Sequence, residues 1–336
     1  MSNADDHDRR TRAEPFHAGE MAVHERYGIR ERIEEVGRAV IRDAMPMQHR
    51  QFFAVQPMLF VGSLDGARRP WASVLAGPRG FIAAPDATTL RVNALPAPGD
   101  PLSANLEVGA PLGFLGIEFA TRRRNRLNGT VEALDATGFT VRVDQSFGNC
   151  PQYIQARDGV WAASRSGESP AETFAHRLPD DALAIVRRAD TLFIASAAAG
   201  AGGTKPAVGA DGVDVSHRGG KPGFVRVTSG EAGDVLTLPD FRGNFLFNTV
   251  GNLVSNAVAG ILVLDFASGD LLQLTCTAEV VWDGPEVESF AGAQRLVKLT
   301  VDQGIHRRAV LAGNWSAPEY ASQLEATGDW DESTKR

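Results

Sequence analysis

Two groups of basic and amide side chains are the residues of this sequence best suited to chemistry. The first is Phe241-Arg242-Gly243-Asn244, directly after Pro239-Asp240. A permissive glycine between a guanidinium and an amide presents hydrogen-bond donors to an anion, and a phosphate is the natural candidate. Asn248 and Asn252 continue the amides into the next turn, where they read equally as helix caps or as ligand contacts. The second group is Arg122-Arg123-Arg124 with Arg126. Strand alternation sends Arg122, Arg124 and Arg126 to one face, where three guanidiniums would bind an anion well. The same run also reads as a nucleic-acid patch or a solvated hairpin.

Other reactive side chains have weaker support. Gly148-Asn149-Cys150-Pro151 looks like a helix start, since proline suits the first helical position. A thiol there would have a lowered pKa and act as nucleophile or redox group; the plainer reading is a small buried residue at a corner. Cys276 sits mid-strand between threonines and reads as packing. The seven histidines show no ligand spacing such as HExxH, so no metal is expected. No GxSxG element supports a serine nucleophile. Gly200 to Lys205 lacks the Walker order of glycine, lysine and hydroxyl, so the Ala/Gly-rich insertion 197–216 is expected to be a flexible loop.

These groups need a scaffold, and the chain is long enough to supply one. Its 336 residues, 43% apolar and 22% charged, suit two medium globular domains. A net charge of -7 argues against a general nucleic-acid binder and favours a small-molecule ligand or a redox partner. No apolar run of about 18 residues occurs, and the polar start MSNADDHDRR is neither signal nor transit peptide, so no membrane partner and a cytoplasmic location are expected. Two cysteines are too few for a disulfide framework.

The periodicity gives the elements. Ile29, Ile33, Val36, Val40 and Ile41 mark an amphipathic helix over 26–45, and a second helix is expected over 48–55. From Met58 onward short apolar runs alternate with turns, as in a small antiparallel barrel, with Asp65-Gly66 as a hairpin. The Val235–Leu238 strand ends at Pro239-Asp240. A helical turn over 247–256 and the strands 260–266 and 271–282 follow.

The chain also repeats itself. Asn105-Leu106 recurs as Asn252-Leu253, and Thr130-Val131-Glu132 as Thr277-Ala278-Glu279, both 147 residues later. Leu59-Phe60-Val61-Gly62-Ser63 matches Leu192-Phe193-Ile194-Ala195-Ser196. Arg69-Pro70 is paired with Lys221-Pro222, and Ala84-Pro85-Asp86 with Leu238-Pro239-Asp240. Two copies of one barrel follow, divided as a mobile segment 1–25, a first barrel domain 26–163, a linker 164–179, a second barrel domain 180–312 and a polar tail 313–336.

The DFRGN turn, the FNTVGNLVSNAVAGILVLDF block and the LTCTAEV strand together resemble the pyridoxamine 5'-phosphate oxidase-like flavin-binding proteins. PFHAGE at 15–20, TRRRNRLNG at 121–129 and SFGNCPQYIQAR at 146–157 look like a tandem subgroup described only as flavin-nucleotide-binding. The resemblance implies a mainly β fold with flanking helices, two tandem split β-barrels, and FMN in a groove between barrels. Carried onto this sequence, the phosphate site falls at Thr237 and Arg242-Gly243-Asn244, with Arg226 and Lys221 as the basic strand positions and Arg124 and Arg126 as the other barrel's contribution. The usual arginine-lysine pair of the turn is here Arg242 followed by Gly243 and Asn244. In the first barrel the equivalent turn is expected at Pro85–Leu90, without a GN element, which leaves the second barrel as the better binder. The resemblance implies a flavin-dependent oxidoreductase, or alternatively a non-catalytic flavin or haem carrier, and a homodimer.

Overall fold

Strand β1 (Met58–Leu64) sets the logic of the whole molecule, because its alternate residues serve two different cores. The computed structural model describes residues 14–162, 171–202 and 210–330. Before β1 come α1 (Ala18–Arg26), α2 (Arg30–Val40) and α3 (Met47–Ala54). After it come β2 (Pro70–Ala76), β3 (Ile82–Ala83), β4 (Thr89–Val92), α4 (Leu102–Asn105), β5 (Pro111–Glu118), β6 (Arg123–Asp135) and β7 (Gly138–Asn149). The strands β8 (Gly159–Ala162) and β9 (Ala171–Ala175) and the helix α5 (Asp180–Arg188) lead into the second half. That half contains β10 (Thr191–Ala197), β11 (Val213–Gly219), β12 (Arg226–Ser229), β13 (Asp234–Phe241), α6 (Asn248–Ser255), β14 (Val258–Leu264), β15 (Leu271–Val281), α7 (Pro285–Glu288), β16 (Ala293–Arg307) and β17 (Ala312–Trp315).

Both main sheets are antiparallel, and their strand orders are the same. The first runs β2-β1-β5-β6-β7-β4-β3 and the second β11-β10-β14-β15-β16-β13-β12, each strand matching the one nine places later. The chain is two tandem split barrels, each wrapped on its own core. Leu59, Val61, Phe114, Leu127 and Val141 fill the first, and Leu192, Ile194, Ile261, Leu274 and Leu299 the second. The alternating residues point the other way, since successive side chains of a strand face opposite sides. Phe60 and Phe193 stack with centroids 3.6 Å apart inside a shared cluster with Met58, Leu115 and Leu262. The barrels therefore pair within one chain.

The register corrects two of the repeat matches. Leu64 opposes Pro70 in the first barrel and Ala197 opposes Val213 in the second, so Pro70 corresponds to Val213, and Lys221-Pro222 to Pro78-Arg79. Likewise Thr89 opposes Arg142 while Val235 opposes Thr300, and Thr130–Arg142 matches Thr277–Thr300. Thr89 is thus the counterpart of Val235. The first-barrel equivalent of the DFRGN turn is therefore the proline-rich stretch 93–101, not Pro85–Leu90.

Segments expected outside the barrels are part of the fold. Residues 18–25, placed in a mobile segment, form α1 together with Arg26, and its start is a capping box: the His17 ring accepts from Gly19 N, and Glu20 Oε2 accepts from His17 N. Residues 1–13 lie outside the described residues. Within the expected linker, β9 adds to the second sheet beside β16. The tail pairs β17 with β8 and buries Trp330, whose Nε1 donates to Phe224 O at 2.8 Å. Residues 203–209 of the Ala/Gly insertion are outside the described residues. Among the described residues no helix is long and apolar enough to cross a membrane.

Candidate functional site

A cleft of about 830 Å³, counted to its open mouth, lies where the two barrels meet. Strand β6 contributes Arg124 and Arg126, the end of β7 Asn149 and Cys150, and β11 Ser216, His217 and Arg218. Tyr153, Arg295, Pro239 to Phe241, Gly243 to Phe245 and Phe247 to Val250 complete it. Asn125 between the two β6 arginines points away, so both guanidiniums enter the cleft. Arg122 does not join them. It precedes the strand in a left-handed conformation (φ 59°) and donates to the Ile154 and Glu319 carbonyls.

The electrostatics are lopsided. Four guanidiniums, Arg124, Arg126, Arg218 and Arg295, line the cleft with one carboxylate, Asp240. Asp240 is shared: Arg295 Nη1 and Arg218 Nε approach its two oxygens. Arg126 is buried, donating to Val215 O at 2.9 and 3.1 Å, with Asp214 Oδ1 3.5 Å away. Arg124 donates to Cys150 O at 2.6 Å and has no carboxylate partner among the described residues. Burial, then Arg218 and Arg126, push its pKa down to about 9. Burial likewise lowers His217 well below the usual imidazole range, helped by Arg124 and Arg218. Its Nε2 is buried without a partner.

The rest of the wall is aromatic and dipolar. Tyr153 stacks on Phe241 at 5.0 Å and donates to Arg242 O. Phe247, at φ 57°, is the N-cap of α6, and no side chain caps that helix. The capping reading of the asparagines therefore gives way, and the uncapped first turn turns its positive end to the cleft.

Of the residues picked from sequence, Arg124, Arg126, Gly243, Asn244 and Asn248 come together here. Asn244 is exposed and also accepts from Leu246 N. Arg242 sits exposed at the rim, its Cζ 5.7 Å from the Phe245 ring. Asn252 is buried behind the cleft, donating to Ser196 Oγ and Asp214 Oδ2. Its repeat counterpart Asn105 donates to Ser63 Oγ in the same way, so this asparagine is a structural feature of both barrels. Lys221, Arg226 and Thr237 are elsewhere, on a face covered by the chain's own tail. Lys221 Nζ donates to Thr327 O, Arg226 pairs with Glu286 under the Trp330 ring, and Thr237 is buried opposite Arg226. A ligand phosphate at those three residues would have to displace the tail.

The sequence reading missed Arg218, Arg295, His217 and Tyr153. One signal was present. Under the corrected register His217-Arg218 replaces Val74-Leu75, so an apolar strand pair in one copy becomes a polar one carrying a guanidinium in the other. Cys150 does line the cleft, but residues 151–158 form turns and a bridge rather than a helix. The expected helix dipole on that thiol is absent.

The pseudo-equivalent groove is sealed. Gln273 stands where Arg126 stands in the repeat, and its Nε2 donates to Ala72 O and Ser73 Oγ as Arg126 does to Val215 O and Ser216 Oγ. Arg307, 2% exposed, is ion-paired with buried Asp100. The two charges there match each other, unlike those of the open cleft.

Behind Asn248 lies Glu20, buried and accepting from Asn248 Nδ2 at 2.5 Å. Burial and then Asp214 raise its pKa well above the carboxylate range. A raised acid pKa gives stability that is full below the unfolded value and lost as pH rises through the folded one. Glu20→Gln, which mimics the protonated acid, should match the wild type at acid pH and unfold at a higher temperature than it at neutral pH. Equal melting temperatures at both would mean Glu20 is not held protonated.

No family model and no curated protein matches the chain. Solved structures similar to parts of it include the haem storage protein HutZ of Vibrio cholerae, 15% identical over 39% of this chain and 95% of that one, TM-score 0.26. A Lactobacillus delbrueckii protein put forward as a pyridoxamine 5'-phosphate oxidase is 13% identical over 32% and 95%, TM-score 0.25. HupZ of Group A Streptococcus is 13% identical over 31% and 93%, TM-score 0.25. Each spans about the length of one barrel, and at these values none bears on the site.

Proposed function

We propose that the chain binds FMN in the inter-barrel cleft and acts as a flavin-dependent oxidoreductase on a small molecule or electron partner. Arg124 carries this reading. A partly buried guanidinium, crowded by two others and lacking a carboxylate, is a standing site for an anion, and a phosphate dianion near the uncapped start of α6 answers it. The residues fit the group. Arg124, Arg126 and Arg218 would hold the phosphate, and Tyr153, Phe241 and Phe245 offer apolar surface to a flat ring. When bound, the isoalloxazine supplies hydride or electron transfer, and the protein supplies orientation and electrostatics. His217 stays neutral near the cleft, and burial followed by Asp240 raises the Tyr153 phenol, so neither adds charge. Both barrels line the cleft within one chain, so a homodimer is not needed to complete it.

A second reading, a haem carrier, is favoured by the unpartnered Nε2 of His217, a neutral imidazole suited to iron, with the arginines facing propionates. The absorbance spectrum of the purified protein separates the two: flavin bands support the first, a Soret band the second. Titrations with added FMN and haemin complete the test. A protein that takes up neither chromophore would refute both.

A further inference from the structure

Away from the cleft, three elements bring metal-ligand side chains to one point. Glu172 on β9 lies directly opposite His306 on β16 in the antiparallel ladder, and such cross-strand neighbours share a face. Asp181, in the first turn of α5, closes the third side, with Oδ2 3.4 Å from His306 Nδ1. One donor atom from each of the three lies within 4.8 Å of the other two.

The histidine is poised as a ligand. It is 1% exposed, and its Nε2 lies 3.1 Å from Asp270 Oδ2. That carboxylate accepts a hydrogen bond from Nε2–H, which leaves the lone pair on Nδ1, and Nδ1 is buried with no hydrogen-bond partner. A carboxylate orienting one imidazole nitrogen while the other is offered to a metal is the usual support of a zinc ligand. Charge points the same way. Glu172, Asp181 and Asp270 put three carboxylates around the ring, and the nearby cation is Arg308, which pairs with Glu172 and Asp181. Arg308 is 48% exposed on a flexible stem and can swing into solvent.

We propose that His306 Nδ1, Glu172 and Asp181 bind a zinc-class divalent cation, which replaces Arg308 as the counter-charge and clamps β9 to the second barrel. One nitrogen and two carboxylate oxygens with a solvent-facing fourth position suit Zn²⁺. The ligands stand at 172, 181 and 306, so no local spacing betrays them, which is why the sequence suggested no metal. This site is independent of the flavin reading.

The test is calorimetric titration of Zn²⁺ into the chelator-treated full chain. One equivalent should bind per chain. Glu172→Gln, an exposed and structurally mild change, should weaken binding at least tenfold, His306→Ala should abolish it, and Arg308→Ala should tighten it. If His306→Ala fails to fold, Glu172→Gln alone decides. No zinc uptake by the wild type, or unchanged affinity in Glu172→Gln, overturns the proposal.

Discussion

Arg124→Ala should weaken FMN binding about a hundredfold, roughly 2.8 kcal/mol, while leaving the ligand-free protein at least as stable as the wild type. The two halves of that expectation have one cause. Arg124 is charged at neutral pH, yet its pKa is pushed down to about 9 by burial and by Arg218 and Arg126. A base depressed in the folded state is held less tightly protonated there than in the unfolded chain. Its charge therefore opposes folding at neutral pH. Removing the side chain relieves that repulsion at the loss of one hydrogen bond to the Cys150 carbonyl. An arginine present for the fold would behave oppositely. Fluorescence titration with FMN and urea denaturation of the same variant read both quantities. Unchanged affinity, or a marked fall in the urea midpoint, would sink the assignment. Arg242→Ala, at the exposed rim, should leave affinity nearly unchanged.

The contrast between those two arginines shows what a sequence carries. Arg124 and Arg126 were legible because strand alternation is a local rule and β6 obeys it. Arg242 is favoured because it stands in a turn with glycine and asparagine, but the turn leaves its guanidinium exposed over Phe245, outside the lining of the cleft. Lys221 falls in the turn before β12, and Arg226 and Thr237 on a strand face, and the tail covers this side through Thr327 and Trp330. Nothing local in a strand reports what will lie on it from 100 residues away. The barrels were legible because the repeat kept its strand pattern, whereas dipeptides such as Arg69-Pro70 matched by composition and gave the wrong register. Pairing register is set by the ladder and its bulges, not by prolines at the ends of strands. With the register corrected, the copies can be compared position by position, and their divergence becomes informative. One groove keeps arginines short of carboxylates; in the other, Asp100 and Arg307 close on each other. Duplication kept the fold twice and the arginine-rich cleft once.

That single site depends on the seam between barrels, because Arg124 and Arg126 come from one and Arg218 and Arg295 from the other. The seam is built on backbone contact. A Cβ at Gly113 would fall 2.3 Å from Val213 O, and one at Gly260, its repeat counterpart, 2.5 Å from Pro70 O. Neither neighbour is the end of a flexible side chain, so the strands themselves would have to separate. Gly260→Val should therefore destabilise the protein by about 3 kcal/mol, at the upper end for overpacking. It should also uncouple the barrels, because the Phe60–Phe193 stack lies in the same seam. Denaturant unfolding should then broaden from one transition into two, and FMN affinity should fall even though no cleft residue has changed. Gly243→Ala is the control: it lies in the cleft wall, but a Cβ there meets nothing within 4 Å, so stability should be unaltered. A Gly260→Val variant that unfolds in one transition at the wild-type midpoint would mean that the two barrels do not meet along β2 and β14. In that case the arginines they contribute would not share one cleft.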